Sequence, residues 1–526
     1  MSPTVTAVVP RRAPAAEAPA DAPERPPAPA RAAPRSADTG RVRPWVWPAA
    51  AAVLGGVAAE WPLAAGVLLG GGIMVVLALV APRTTAGLTV LAVLFVRVLE
   101  HLTGVEQVGY LDEAMIALCV VTLPLRRLLT RTPLRTLPGQ WWFAGFGVCG
   151  VLGALVLHVP FDIFLLGAFV TLKGPLFAFA VAQLDWTPRH VAVAVRVAAV
   201  VLVVGLLAAV ANLVAPGPWE AVLVDDKNAA EARGFLPSIV GPFTHPIDMG
   251  QFTALAFVAV AAWRSVVGRS AFTLALLIGT ALGALGTARR TAAGSVAAAW
   301  LWLQAKRRST GVFVAILAGL PVAVVVLAAP LTTVVSTTYQ DYFGNGHPEA
   351  RTVLTIDSFK VATSHFPLGA GFGRFGSAIA ATNYSPEYVE LGYPYVWGLG
   401  RNKEDGRFLT DTEWPALIGE TGFFGALAFA LGLAAVYRAA LRRWRTDDRP
   451  LARWAGLTCA GWVVACLVQS VATVTFTGPP AFALLFGLAG VVAALGDRPR
   501  PAGADAAAAR DAAGADEAPG DRAVAR

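Results

Sequence analysis

The chain has 526 residues, of which 56% are hydrophobic and 14% charged. So few charges cannot cover the surface of a soluble domain of this length, and apolar runs near the ~20 residues that cross a bilayer core recur along it. The formal net charge of +8 does not indicate nucleic acid, because the arginines cluster between apolar runs, as cytoplasmic loops of a membrane protein require.

In chain order, residues 1–43 are rich in Pro, Ala and Arg and are read as a disordered cytoplasmic tail. They lack the short apolar region of a secretory signal before Trp45, so the first helix is expected to be an uncleaved anchor. A polytopic membrane domain follows over 44–496. Its expected spans are 45–60, 63–82, 84–102, 108–128, 140–158, 162–184, 190–215, 246–264, 270–287, 290–305, 311–331, 411–437, 453–473 and 479–496. The first two are short enough to form a hairpin within one leaflet. The fold class is therefore all-α integral membrane with about 12–14 transmembrane helices. Strand-like alternation is absent, which excludes a barrel. Residues 497–526, rich in Ala, Asp and Arg, read as a second disordered cytoplasmic tail. Cys119, Cys149, Cys459 and Cys466 sit in apolar stretches at no zinc spacing, and are read as packing residues.

With the N-terminus inside, the inner connections carry Arg83, Arg126, Arg127, Arg131, Arg135, Arg189, Arg264, Arg269, Lys306, Arg307, Arg308 and the arginines from Arg438 to Arg453. The early outer turns carry Glu60, Glu100, Glu106 and Asp162. This is a positive-inside ladder, and it places both termini in the cytoplasm. Two outer segments are long, 216–245 and 332–410. The second, a large extracytoplasmic loop before the last three helices, holds six of the eight tyrosines: Tyr339, Tyr342, Tyr384, Tyr388, Tyr393 and Tyr395. With Trp397 and Trp414 these form either a flat-ring glycan surface or an interfacial aromatic belt.

The informative charges are those the topology does not want. Arg289 and Arg290 occupy an outer turn, where they oppose the orientation signal. A phosphate or diphosphate would offset them through paired hydrogen bonds; snorkelling to headgroups is the alternative. Arg233 is another outer arginine, with Asp225, Asp226 and Glu231 as alternative partners. Arg351 and Lys360 lie on an expected helix leading into Gly369, facing either solvent or a site. Lys173 falls mid-span, where an ionisable group is costly and points to function or to a partner on another helix. Arg97 and Glu100, three apart, are expected to pair. Asp411 and Glu413 open the helix after the large loop, as caps and dipole partners or as bases beside the outer arginines. Gly371–Gly376 fits G-x-G-x-x-G, but no βαβ unit surrounds it. It is read as a tight glycine turn with amides near a ligand.

Those residues carry a family resemblance. Pro367-Leu368-Gly369-Ala370-Gly371-Phe372-Gly373-Arg374-Phe375 resembles the P-x-G-x-G-x-x-x-F segment of the O-antigen ligase and polymerase superfamily. Asp411 to Gly425, DTEWPALIGETGFFG, resembles its helix after the large periplasmic loop, ending in E-x-G-hydrophobic-hydrophobic-G. Arg233 to Gln251 and Gly286 to Trp300 resemble its two arginine-bearing segments. The likeness covers roughly residues 60–495. It implies a GT-C-type glycosyltransferase of the cytoplasmic membrane, acting at the outer face on an undecaprenyl-diphosphate-linked glycan. The donor lipid, a glycan or lipid acceptor, membrane lipids and envelope polysaccharide assembly proteins are the implied partners; no cofactor or metal is expected. Arg233 and Arg289 match the arginines that hold the diphosphate, with Arg290 an alternative to Arg289. Where family ligases carry a histidine this chain has Asp411, which leans the reading toward a polymerase. His365 is kept as a substrate-binding candidate and not as that histidine's replacement.

The expected chemistry is attack of an acceptor hydroxyl on the anomeric carbon. Asp411 or Glu413 takes the proton, and Arg289, Arg233 and Arg290 stabilise the departing diphosphate, with Arg351 and Lys173 as further substrate contacts. A transporter or flippase of lipid-linked glycans is the alternative, and a scaffold with degenerate catalytic residues a weaker one.

Overall fold

The computed structural model describes residues 62–224, 238–307, 350–402 and 405–495. The chain divides into two compact units, Met1–Leu69 and Gly70–Arg526. Of the first, only 62–69 is described, the start of helix α1 (Pro62–Val80). The others are α2 (Pro82–Thr103), α3 (Leu111–Leu129), α4 (Gln140–Val156), α5 (Phe161–Ala182), α6 (Pro188–Val214), α7 (Pro216–Leu223), α8 (Pro246–Val266), α9 (Ala271–Gly286) and α10 (Arg290–Arg307). After the large loop's α11 (Ala350–Ser364), α12 (Ala378–Asn383) and α13 (Pro386–Glu390) come α14 (Glu413–Thr446), α15 (Pro450–Gln469) and α16 (Ala481–Ala494). Among the described residues there is no strand.

Among the described residues seven helices are long and apolar enough to cross a membrane, and the chain is a multi-pass membrane protein of helices. α4, α9 and α16 are apolar but shorter; α10, expected as a span, is a helix outside both groups. The expected spans 45–60 and 311–331 and both tails lie outside the described residues. Only 22% of the most apolar stretch of α6 is buried, so valines and leucines such as Val200, Val204 and Leu207 face outward. In water such a surface would aggregate; against lipid it costs nothing.

Packing relies on small residues and phenylalanine rings. A Cβ on Gly490 of α16 would stand 2.5 Å from the Ala178 carbonyl of α5, so the glycine lets the two backbones meet. Phe146, Phe429 and Phe476 form a chain of ring contacts at 5.1 and 5.7 Å between centroids. Trp454 and Trp462 of α15 donate to the carbonyls of Ala259 and Leu255 on α8 at 2.9 and 2.7 Å. Buried indole N–H groups are thus satisfied across helices.

Contacts sort the helix termini into two ends. At one, Arg83 and Arg135 reach Asp185, Arg127 reaches the Gln183 carbonyl, and Arg449 the Leu495 carbonyl. Asp447 accepts from Arg449 and Arg443 there, and those hydrogen bonds, foremost from Arg449, hold its carboxyl down at about 2. At the other end Arg97 pairs with Asp248 at 3.3 Å, correcting the expected partnership with Glu100. Arginine-rich connections share one end, as the charge ladder requires.

The large loop has its own core of Leu354, Phe375, Tyr384, Tyr388, Tyr393 and Leu409, among others. Tyr388 and Tyr393 stack at 5.2 Å and are fully buried. Neither the glycan surface nor the aromatic belt describes Tyr384, Tyr388 and Tyr393: they are core, and burial pushes their phenol groups up. Tyr395 and Trp397 do stand exposed; Tyr339 and Tyr342 lie outside the described residues.

α14 is not one regular helix. Gly422 has φ +66° and ψ −175°, a non-helical conformation within it. The carbonyls of Gly419 and Glu420 accept from the amides of Ala370 and Gly371, each at 2.8 Å. The glycine segment thus supplies the donors that the break removes. Gly369, Gly371, Gly373 and Gly376 all have positive φ, so the expected tight turn is present. A Cβ on Gly373 would stand 2.8 Å from the Ile163 carbonyl, whereas one on Gly392, also at positive φ, meets nothing within 4 Å. Gly392→Ala should therefore cost only about 1–2 kcal/mol of backbone strain. Gly373→Ala adds a clash, and should lower the melting temperature in detergent several times further; equal shifts would contradict the wedged loop.

Candidate functional site

Glu420 lies two residues before the break at Gly422 and is 1% exposed. Its Oε1 accepts from the amides of Gly373, Arg374 and Phe375 at 2.9, 3.1 and 3.3 Å and from the Ser377 hydroxyl at 2.6 Å. The amides expected near a ligand are therefore taken by an internal carboxylate. An uncompensated carboxylate at such a place would be very costly; four donors on Oε1 offset part of that cost, while Oε2 is buried with no hydrogen-bond partner among the described residues. Beside it Arg374 makes a two-pronged pair with Glu387, Nη2 to Oε1 at 2.6 Å and Nε to Oε2 at 2.8 Å. The two family-like motifs, glycine segment and E-x-G, are thus one structural unit.

This unit sets the path of α11, which packs along the first part of α14. Phe359 meets Phe423 at 6.1 Å and Phe366 meets Phe424 at 5.8 Å. At its other end the first turn of α11 carries Arg351 to Asp411. Arg351 Nε donates to Asp411 Oδ2 at 2.7 Å, and Nη2 bonds the same oxygen. The guanidinium also lies 5.7 Å over the Phe408 ring. Asp411 itself is anchored by its amide, which donates to the Phe408 carbonyl at 3.2 Å. Its side chain is 19% exposed. Burial raises its carboxyl above the ordinary aspartate value, against the opposing pull of Arg351 and then of Arg289.

Arg289, on a third element, is near enough for its charge to act on the Asp411 carboxyl. α9 ends at Gly286, whose carbonyl accepts from Ile239 N at 3.0 Å, and Ala288 turns the chain with φ +53°. The Arg289 carbonyl accepts from Ala292 and Ala293, which puts Arg289 at the start of α10. A cation at a helix N-terminus opposes the helix dipole, so an anion beside it is favoured. The Asp411 carboxylate is one such anion. Arg290, one residue on, is exposed and Arg289 is half-buried.

The other site candidates fall elsewhere. Glu413 is 2% exposed; Oε2 accepts from the amides of Thr475 and Phe476 at 2.7 and 3.0 Å, and Oε1 from the Thr477 hydroxyl at 3.0 Å. It clamps the α15–α16 connection instead of standing open as a base. Neither acid caps α14, whose N-cap position, Thr412, makes no side-chain cap bond. Lys173 pairs with Glu113 of α3 at 3.1 Å and sits 5.0 Å over the Phe482 ring. That is the interhelical-partner alternative, not a substrate contact. His365 bonds Ser364 and the Val361 carbonyl through Nδ1. Counted along α11 it lies about 20 Å from Arg351, so it is not part of the cluster. Lys360 pairs with Asp357 at 2.7 Å. Arg233 lies outside the described residues. Among the described residues no group of three His, Cys, Asp or Glu side chains is placed to hold a metal ion.

Sequence reasoning missed Glu420 as an organiser. An acid nine residues beyond the start of a spanning helix is a costly placement, and that signal was readable. It also missed the Arg374–Glu387 pair, for which no local spacing gives a cue.

Fold and site together define a helical multi-pass membrane protein with a half-buried carboxylate set among guanidinium groups at one end. No protein-family model matches the chain, and no curated protein matches it. The O-antigen ligase and polymerase resemblance therefore rests on the residues themselves.

The two acids make a direct contrast. Glu413→Ala leaves buried donors without an acceptor, at about 1–3 kcal/mol for each orphaned group. It should lower the melting temperature clearly and speed amide exchange around 475–477. Asp411→Asn, at a half-open position, should leave the melting temperature nearly unchanged. The opposite ranking would mean that Asp411 is the structural acid.

Proposed function

We propose that the chain is a membrane glycosyltransferase that polymerises or transfers glycan from a polyprenyl-diphosphate-linked donor at the outer face of the cytoplasmic membrane. The observation that carries this reading is Asp411 held by Arg351 with Arg289 beside it. The arginine-rich end of the bundle is taken as cytoplasmic, as are both tails, which puts the cluster outside. The GT-C class is the fold that the resemblance attaches to this arrangement.

In the proposed reaction an acceptor hydroxyl attacks the anomeric carbon of the donor sugar. The new glycosidic C–O bond forms as the bond to the diphosphate oxygen breaks. Asp411 takes the hydroxyl proton, and burial, by raising its basicity above that of a free aspartate, suits it to that task. Arg289 lies where negative charge develops on the departing diphosphate. Arg233 and Arg290 remain candidates for the same anion. Arg351 orients Asp411 in the resting state and turns to the diphosphate when the donor enters. The lipid diphosphate is already an activated leaving group, so no cofactor is required. Asp411, where ligases of the resembling family have histidine, favours a polymerase-like reaction over ligation. The donor and acceptor pass through the membrane plane, and envelope polysaccharide assembly proteins are the proposed neighbours.

A flippase of lipid-linked glycans is the second reading. The interhelical pairs Lys173–Glu113 and Arg97–Asp248 favour it, since buried charge often lines a transport route.

Vesicles carrying the purified protein and a lipid-linked oligosaccharide test both. A transferase lengthens or transfers glycan; a flippase moves the lipid with no bond changed. Arg289→Ala should reduce polymer yield about 100- to 1000-fold, and Asp411→Asn about 100-fold or more, with both proteins still inserted. Wild-type polymer from both variants would overturn the proposed site.

The pH profile gives a separate check. The base must be ionised, and its carboxyl is raised by burial. Activity should therefore fall on acidification at a higher pH than an exposed aspartate would give. Asp411→Asn should abolish that acid limb; an unchanged limb would assign it to another group.

A further inference from the structure

The large loop reads from sequence as an aqueous extracytoplasmic segment, but its placement argues otherwise. The glycine segment does not cover the ends of the bundle; it descends between them. Phe372 N donates to the Gly150 carbonyl at 3.4 Å. A Cβ on Gly153 would stand 3.0 Å from the Gly369 carbonyl, and one on Gly167 2.6 Å from Gly373 N. Gly167 lies six residues into α5, about 9 Å below its first residue. Irregular backbone at such depth is tolerated only where protein surrounds it and its polar groups are satisfied. Ala370, Phe375 and the Glu420 hydrogen bonds meet both conditions.

α11 leads down to this depth along α14, and its outward face mixes large apolar side chains with Thr355, Thr363 and Ser364, whose hydroxyls bond carbonyls of their own helix. Ile356, Phe359 and Phe366 are 53, 46 and 62% exposed. They continue directly into the outward face of α14, where Phe423, Phe424 and Leu427 are 36, 55 and 56% exposed. α14 is long and apolar enough to span the membrane, so lipid covers that second group. The ring contacts Phe359–Phe423 and Phe366–Phe424 make the two faces one surface. Lys360 does not interrupt it: the ammonium pairs with Asp357, and a lysine stem can follow apolar surface toward the headgroups.

We propose that 350–376 is a re-entrant membrane element, with α11 lying in the outer part of the bilayer and Ile356, Phe359 and Phe366 against acyl chains. Arg351 and Asp411 then sit at the headgroup level, above a helix that a lipid tail can lie beside. The proposal concerns placement alone, so it stands or falls separately from the chemistry at Asp411.

Nitroxide labels test it in full-length protein reconstituted in lipid nanodiscs. Ile356→Cys, Phe359→Cys and Phe366→Cys are labelled one at a time in a Cys149→Ser background, the other native cysteines being buried. Tyr395→Cys, at a 93% exposed loop position, is the aqueous reference. Lipid contact predicts that collisions with oxygen exceed those with a water-soluble nickel chelate several-fold at all three sites, with the order reversed at Tyr395. Nickel collision rates like those at Tyr395 would overturn the proposal in favour of water. Low rates with both reagents, together with dipolar coupling between labels, would overturn it in favour of a second copy of the chain. Three independent sites keep the outcome decisive if one variant misfolds.

Discussion

The break in α14 at Gly422 is the constraint on which the rest of the site depends. A helix in lipid cannot leave carbonyls bare, and here the amides of Ala370 and Gly371 fill them. That repair works only if the glycine segment approaches at backbone contact, which Gly369 and Gly371 permit through positive φ. Glu420 then locks the segment by gathering three amides and one hydroxyl on a single oxygen. With the loop fixed, α11 has one path along α14, and that path brings Arg351 to Asp411.

Charge in this protein is otherwise spent internally. Glu413 holds the α15–α16 connection, Arg374 and Glu387 hold each other, and Lys173 and Glu113 join α5 to α3. Each of these three has its partners, as a low-dielectric interior demands. Asp411, like Asp447 at the other end, is held by more than one guanidinium: Arg351 on α11 bonds it, and the charge of Arg289 ahead of α10 acts on it. Two guanidinium charges acting at one carboxylate suit a polyanionic ligand.

Much of the fold was legible because long apolar runs are a local signal. The helices over 62–80, 140–156 and 246–266 fall where hydrophobic length alone puts them. The partners of individual side chains were not legible, because they lie far apart in sequence. Glu413 meets amides 62 and 63 residues away, and Glu420 meets the loop 43 to 47 residues earlier. Periodicity carries no trace of such pairs. The Arg97–Asp248 pair displaced a local i, i+3 expectation for the same reason. The tyrosines misled in another way: aromatic residues in a polar loop suggested a surface, but the loop is large enough to build a core around Tyr388 and Tyr393. Of the site, Arg289 was chosen for its unwelcome charge and Asp411 for its place beside the outer arginines, whereas the direct bond from Arg351 to Asp411, 60 residues apart, was not foreseen.

Equilibrium binding of a polyprenyl diphosphate to the protein in nanodiscs, beside the matching polyprenol, tests the central claim most directly. Gathered guanidinium groups predict clear preference for the diphosphate. Arg289→Ala should erode it by about 10- to 100-fold, as loss of charge-assisted hydrogen bonds worth about 1.5–3 kcal/mol requires. Equal affinity for the two lipids, or a diphosphate affinity untouched by Arg289→Ala, would contradict it.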